Sequence, residues 1–331
     1  MKRTLHYIYL LLAIGMLHAC QEDNNADTET TQVRSQVNVP RFDRDSAFAF
    51  LAKQVAFGPR VPNTEEHRQC GDWLAGQFRS FGADVIQQEF KAEAYTGEVL
   101  NGRNIIAQYN RQNRKRILLA AHWDSRHIAD SPVNEGVRDV AVLGADDGAS
   151  GVAVLLEVAR QLQNNPVDIG VDIVLFDCED YGESGADNTE SWGLGAQHWS
   201  RNLHRTNYEP SYGILLDMVG AKGARFPKEQ YSVIFAPEVV EKVWKLANNM
   251  GYGNYFVSAN GGAVTDDHYF VNTIAKIPMI NIINRPVESE TGFGPHWHTP
   301  EDDLDVIDAR TLRAVGQVVL AVIYREAGGT I

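Results

Sequence analysis

Two periods of apolar residues alternate along this chain. Short, predominantly apolar runs end abruptly in acids or histidine. Ile117-Leu118-Leu119-Ala120-Ala121 runs into His122-Trp123-Asp124-Ser125. Val171-Asp172-Ile173-Val174-Leu175 runs into Phe176-Asp177-Cys178-Glu179-Asp180, and Tyr212-Gly213-Ile214-Leu215-Leu216 into Asp217. Such runs predict buried strands whose carboxyl ends open into a site. Further strands are predicted over residues 85–90, 104–109, 233–236 and 278–284. Longer stretches carry helical spacing instead. Trp73, Leu74, Phe78 and Phe81 mark a helix over 64–81, which Gly82 stops. Val240, Val243, Trp244 and Ala247 mark another over 237–250. Helices are also expected from residue 45, over 152–162, from 192 and over 310–324. The alternation of strands and helices makes this an α/β chain.

The remainder is punctuation and chemistry. Residues 1–19 carry Lys2 and Arg3 and then an apolar stretch over 8–17, which predicts a signal peptide. Its end, Leu17-His18-Ala19-Cys20, resembles the bacterial lipobox, so Cys20 is the expected lipidation site. An exported lipoprotein, periplasmic or anchored at the outer membrane, follows. Residues 20–40 are polar and read as a flexible tether. Residues 41–331 read as one catalytic domain. The formal charge is −13, which argues against nucleic acid as a partner. Cys70 and Cys178 lie far apart and give no disulfide framework. Cys178 reads as a small strand residue rather than a nucleophile.

The acids at the strand ends divide into roles. Asp180 is the candidate zinc ligand and Glu179 the candidate general base and acid. His122 either binds metal or is oriented by Asp124, which the strand period places on the same face. In Gly144-Ala145-Asp146-Asp147-Gly148, one aspartate can cap the following helix. Asp146 fits that role and leaves Asp147 to bind a metal. The loop Gly294-Pro295-His296-Trp297-His298-Thr299-Pro300 supplies an imidazole. His298 is the candidate ligand with Trp297 beside it, and His296 is expected to be exposed. Trp192 is a candidate pocket wall. Asp266, Asp267 and His268 form a charged cluster at the start of a short helix.

In this order the stretches Ala120-Ala121-His122-Trp123-Asp124-Ser125, Gly144-Ala145-Asp146-Asp147, Phe176-Asp177-Cys178-Glu179-Asp180 and Trp297-His298-Thr299 resemble peptidase family M28, a zinc aminopeptidase superfamily. Within it, Leu215-Leu216-Asp217-Met218-Val219-Gly220-Ala221 and Asp266-Asp267-His268 resemble the glutaminyl-peptide cyclotransferase branch. The resemblance implies a central mixed, mostly parallel β-sheet flanked by helices. It implies one zinc per chain, held by Asp147, Asp180 and His298, with Glu179 as acid/base. Asp217 and Asp266 would form a carboxylate network beside it, and Trp192 and Trp297 would shape the substrate pocket. His122, Asp124, Asp267 and His268 would support the ligands from behind. The implied substrates are peptides or proteins with N-terminal glutamine, cyclised to pyroglutamate with loss of ammonia. Two departures stand out. Animal relatives carry Glu at the position of Asp180, and Ser at that of Gly148, so a hydroxyl is missing. Two other readings remain open. One is a two-zinc aminopeptidase, with His122 and Asp217 holding a second ion bridged by Asp147. The other is a non-catalytic binding lipoprotein.

Overall fold

The computed structural model describes residues 37–331 except 186, 187 and 287. The predicted signal peptide, Cys20 and most of the tether lie outside the described residues. The tether's last residues are already anchored: Val37 and Val39 pack on the core, and Gln317 donates to the Pro40 carbonyl. Among the described residues no helix is long and apolar enough to cross a membrane.

The elements run α1 (Arg44–Val55), α2 (Glu65–Ser80), β1 (Asp84–Glu93), β2 (Val99–Tyr109), β3 (Arg116–His122), α3 (Ala149–Asn164), β4 (Gly170–Phe176), α4 (Leu194–Arg201), β5 (Gly213–Asp217), β6 (Phe226–Lys228), α5 (Gln230–Phe235), α6 (Pro237–Asn249), β7 (Phe256–Asn260), α7 (Asp267–Phe270), β8 (Met279–Ile283) and α8 (Ala309–Ala327). Six strands form one sheet in the order β1-β2-β4-β3-β5-β8. The pairs β1–β2 and β2–β4 are antiparallel, and the remaining three pairs are parallel. This is the expected mixed, mostly parallel sheet. β6 and β7 form a separate two-stranded parallel ribbon.

Strands β3, β4, β5 and β8 are buried along their whole length, which is why they read as apolar runs rather than alternating ones. All four point the same way, so their carboxyl ends meet at one edge of the sheet. Helices α1, α3 and α8 pack together on one face. α2 starts at Thr64, whose hydroxyl accepts the His67 amide, and buries Cys70, Leu74 and Phe78.

One predicted strand is a helix. Residues 233–236 belong to α5 and the residue that ends it. The reason is Glu229, whose carboxylate accepts the Tyr231 and Ser232 amides and starts a helix there. Val233, Ile234 and Phe235 remain exposed, so their apolar character reflects no buried strand. Cys178 also lies outside its strand, at φ 56° just beyond β4.

Helix α3 rests on the sheet through Gly151. A Cβ there would stand 2.3 Å from the Leu216 carbonyl oxygen of β5 and 2.9 Å from the Ala121 Cβ of β3. The first turn of α3 therefore reaches the ends of both strands, and the loop before it is drawn to the same edge. Gly151→Ala is expected to destabilise the protein by about 1–3 kcal/mol through overpacking. A urea titration checks this, and a midpoint equal to wild type would refute the close approach.

Candidate metal and acid–base site

Three ligand-bearing side chains arrive from three separate loops. Asp147 precedes α3, Asp180 follows β4, and His298 follows β8. Their ligand atoms all lie within 4.8 Å of one another. The His298 Nε2 is 3.0 Å from Asp180 Oδ1 and 3.7 Å from Asp147 Oδ2. Its Nδ1 faces Asp130 Oδ1 at 3.1 Å. A proton on Nδ1 donated to Asp130 leaves the Nε2 lone pair directed at the two carboxylates, the tautomer a metal requires. Asp180 Oδ2 is buried without a hydrogen-bond partner. Burial alone would depress the imidazole pKa, but the Asp180 charge and the bond to Asp130 raise it to about 9. The cluster thus favours positive charge at one point, and its N/O donor set suits zinc.

A second group shares Asp147. His122 Nε2 lies 3.0 Å from Asp147 Oδ1 and 3.3 Å from Asp217 Oδ1, and the three residues could also hold an ion. Asp147 therefore faces both groups.

The loops are held by buried groups on other elements. The two oxygens of Asp124 accept the Glu179 and Asp180 amides at 3.1 and 3.0 Å. Asp124 was expected to share a strand face with His122. It lies past the end of β3 instead, 3.5 Å from His122 Nδ1, and its oxygens grip the neighbouring loop. Asp302 does the same for the other loop, accepting the Asp146 and Asp147 amides at 2.8 and 3.1 Å. Arg126 donates to the Asp180 and Gly182 carbonyls and forks onto Asp130, behind His298. Arg60 donates to the Trp123, Leu143 and Gly144 carbonyls. None of Arg60, Arg126, Asp130 and Asp302 stood out in the sequence. Arg126 directly follows the Asp124-Ser125 motif and Asp302 the Thr299-Pro300 turn, so proximity to the motifs was the available signal.

Other expectations change. Asp146 does not cap α3, which begins after Gly148 with no side-chain cap. Its Oδ1 accepts the Gly220 amide and its Oδ2 faces His296 Nε2 at 3.0 Å. His296 is therefore buried, not exposed, and pins this loop to the histidine loop. Gly148 has φ 108°, and a Cβ there would stand 2.8 Å from His122 Cε1. The missing hydroxyl thus corresponds to space that the His122 ring occupies. Asp217 and Asp266 do not hydrogen-bond to each other among the described residues. Asp217 faces His122, while Asp266 accepts from Asn281 and from the Asp267 amide. They still feel one another: burial raises the Asp217 pKa, and the Asp266 charge raises it further. Asp267 is buried with both oxygens unpartnered, and burial followed by the Asp266 charge pushes its pKa well up. His268 faces Glu229 at 2.9 Å. Cys178, Met218 and His298 all adopt left-handed backbone, at φ 56°, 47° and 54°, which is strained for non-glycine residues.

Glu179 is the acid left over. It is 8% exposed and lines a cavity of about 320 Å³ with Asp147, Asp180, Asp217, Asp266, Trp192, Trp297 and His298. Burial raises its pKa well above the usual carboxylate range; His122 opposes this, and Asp266, Asp267 and Asp180 add to it. Trp297 stacks on the His298 ring at 3.7 Å, and Trp192 lies near-parallel to it at 6.1 Å. Arg126 sits over the Trp192 ring at 4.9 Å.

Two acid–histidine groups sharing one aspartate, at the carboxyl edge of a mostly parallel sheet, define a zinc-exopeptidase-like α/β protein. The model of Peptidase family M28 matches residues 104–323, and the chain belongs to that family. Three solved structures show how its members divide. A Zn-dependent exopeptidase from Parabacteroides distasonis is 52% identical, with 87% of this chain and 99% of that one covered and a TM-score of 0.84. A glutaminyl cyclase from Bacteroides thetaiotaomicron is 50% identical with the same coverage and TM-score. A leucine aminopeptidase precursor from the same organism is 49% identical, again with 87% and 99% covered, at a TM-score of 0.83.

Glu229 anchors the floor beneath Asp266. It accepts the Tyr231, Ser232 and Val264 amides and the Ser232 hydroxyl, and faces His268. Burial would raise its pKa, but the His268 bond and charge and the amides hold it down at about 2. A depressed folded-state value contributes stability above the unfolded carboxylate pKa, lost as pH falls through the folded one. Glu229→Gln should therefore cost about 3 kcal/mol at pH 7. The deficit should close between pH 4.5 and about 2. Urea unfolding across that range is the measurement, and a pH-independent deficit would contradict it.

Proposed function

We propose that this chain is a zinc-dependent glutaminyl-peptide cyclotransferase, converting N-terminal glutamine of peptides and proteins to pyroglutamate with release of ammonia. One observation carries the reading: a buried Glu179 carboxyl, with no hydrogen-bond partner among the described residues, faces a small cavity that the candidate ligand cluster and Asp266 also line. Asp147, Asp180 and His298 would hold the zinc. When bound, the ion would polarise the substrate's side-chain amide carbonyl. The rest is the work of this chain's own groups. Trp297 and Trp192 form the walls that hold the glutamine side chain folded back toward its own α-amine, so positioning replaces an encounter between molecules. Asp266, with Asp217 behind it, receives the α-amine. The amine nitrogen bonds to the side-chain carbonyl carbon as the bond from that carbon to the amide nitrogen breaks. Glu179 takes the amine proton during attack and returns it to the departing nitrogen, which leaves as ammonia. A raised carboxyl pKa suits both halves of that transfer, since the group must accept and release a proton near neutral pH. The similarity to the Bacteroides thetaiotaomicron glutaminyl cyclase, 50% identical and covered over 99% of its length, also supports this reading.

A second reading rests on the His122, Asp147 and Asp217 group. It would accommodate a second ion, and then the same cavity would serve a two-zinc aminopeptidase. The export expectation belongs to this proposal too: the enzyme would act outside the cytoplasm, tethered to membrane through a lipid on Cys20. Fatty-acid labelling in cells that Cys20→Ser leaves unchanged would remove that part.

Incubation with a glutamine-initiated peptide separates the activities. Cyclisation lowers the peptide mass by the loss of ammonia and frees no amino acid, whereas an aminopeptidase releases glutamine. Zinc content near one per chain is expected on the first reading and near two on the second. Glu179→Gln should lower kcat by about 100-fold or more with zinc content unchanged. Near-full turnover by this variant would eliminate the acid/base role.

A further inference from the structure

The cavity is acidic, lined among the described residues by Asp147, Glu179, Asp180, Glu183, Asp217 and Asp266. A single guanidinium also lines it, that of Arg285, two residues past β8. The Arg285 cation lies over the Phe293 ring at 4.4 Å. Phe293 stacks on Trp297 at 4.6 Å, and Trp297 stacks on His298 at 3.7 Å. Arg285 is thus the outer end of a stacked column whose inner end is a candidate metal ligand.

The fully buried arginines are saturated. Arg60 has three carbonyls, Arg126 has Asp130 and two carbonyls, and Arg116 has Asp172. Arg285 is different. Among the described residues its guanidinium has the Phe293 ring but no hydrogen-bond acceptor and no ion-pair partner. Burial draws its pKa below the usual arginine value, opposed only by the charge of Glu229. Glu229 is itself committed to three amides, a hydroxyl and His268. A partly desolvated guanidinium with unused donors favours a carboxylate, which it can meet with two parallel hydrogen bonds.

The column also fixes where along a peptide that carboxylate would sit. An extended chain advances ~3.4 Å per residue. The ring spacings of 3.7, 4.6 and 4.4 Å set an upper limit of between three and four residues. With the N-terminal side chain at the acid cluster, the groups beside Arg285 belong to the residues that follow.

We propose that Arg285 is a specificity-determining residue that pairs with a carboxylate downstream of the substrate's N-terminal residue. That carboxylate is an acidic side chain at the second or third position, or the free terminus of a very short peptide. The proposal rests on the cyclase reading and names the substrate class of that site. The pairing adds binding without touching the reacting atoms, so its effect falls on KM rather than kcat.

The test compares kcat/KM for ammonia release across matched peptides, with wild type, R285Q and R285K. Gln-Glu-Ala amide is set against Gln-Gln-Ala amide, and Gln-Ala free acid against Gln-Ala amide. Wild type is expected to favour at least one carboxylate member by about tenfold, and R285Q to reduce that ratio below about twofold through KM. R285K should keep part of the preference. The first pair reports a side-chain source and the second a terminal one. Equal ratios in wild type and R285Q, with all peptides turned over, overturn the proposal. So does a loss in R285Q that falls on kcat equally for charged and neutral peptides, which marks a structural role. Absence of ammonia from every peptide removes the cyclase reading and this proposal with it.

Discussion

The site depends on forcing carboxylates together in a place where they repel. Six acids share one cavity among the described residues. Taken from water and left unpaired, they would push their loops apart or pick up protons. The fold resists this with backbone rather than charge. Asp124 and Asp302 each fork onto two successive amides, one pair in each of the two loops that carry an aspartate ligand. Arg126 then ties the Asp180 loop to Asp130 and so to the imidazole. Arg126 brings positive charge from behind, leaving the cavity side acidic.

The same logic explains which acid is free to move protons. Asp147 and Asp180 face His298, and Asp217 faces His122. Asp266 is held by Asn281. Asn188 reaches Glu183, and among the described residues Glu179 alone of the six has its amide fixed while its carboxyl has no hydrogen-bond partner. Fixing the backbone of a group while leaving its head unbonded is how a protein keeps an acid both placed and reactive.

How much of this could be read from the chain follows from the range of each interaction. The buried strands were legible because β3, β4 and β5 are covered on both faces, so their apolar runs, interrupted only by the buried Asp172 of β4, continue until the acids begin. His122, Glu179, Asp180 and Asp217 were legible for the same reason, as abrupt polar endings. Arg60, Arg126 and Asp302 were not, because their partners are backbone groups 54 to 156 positions away that no local period marks. His296 misled because a histidine in a Gly-Pro loop looks exposed until Asp146 is brought against it. Residues 233–235 misled because an apolar triplet on an exposed helix resembles a strand, and only the Glu229 cap decides otherwise. Gly148 was visible as a departure from the family pattern, but that His122 fills the space required the backbone angle.

The grip of Asp302 on residues 146 and 147 spans 156 positions. During synthesis, strands β1 to β5 and their acids would emerge long before the residue that fixes the Asp146–Asp147 loop. A nascent chain could thread, pair its strands and still hold no working centre until almost its whole length had emerged.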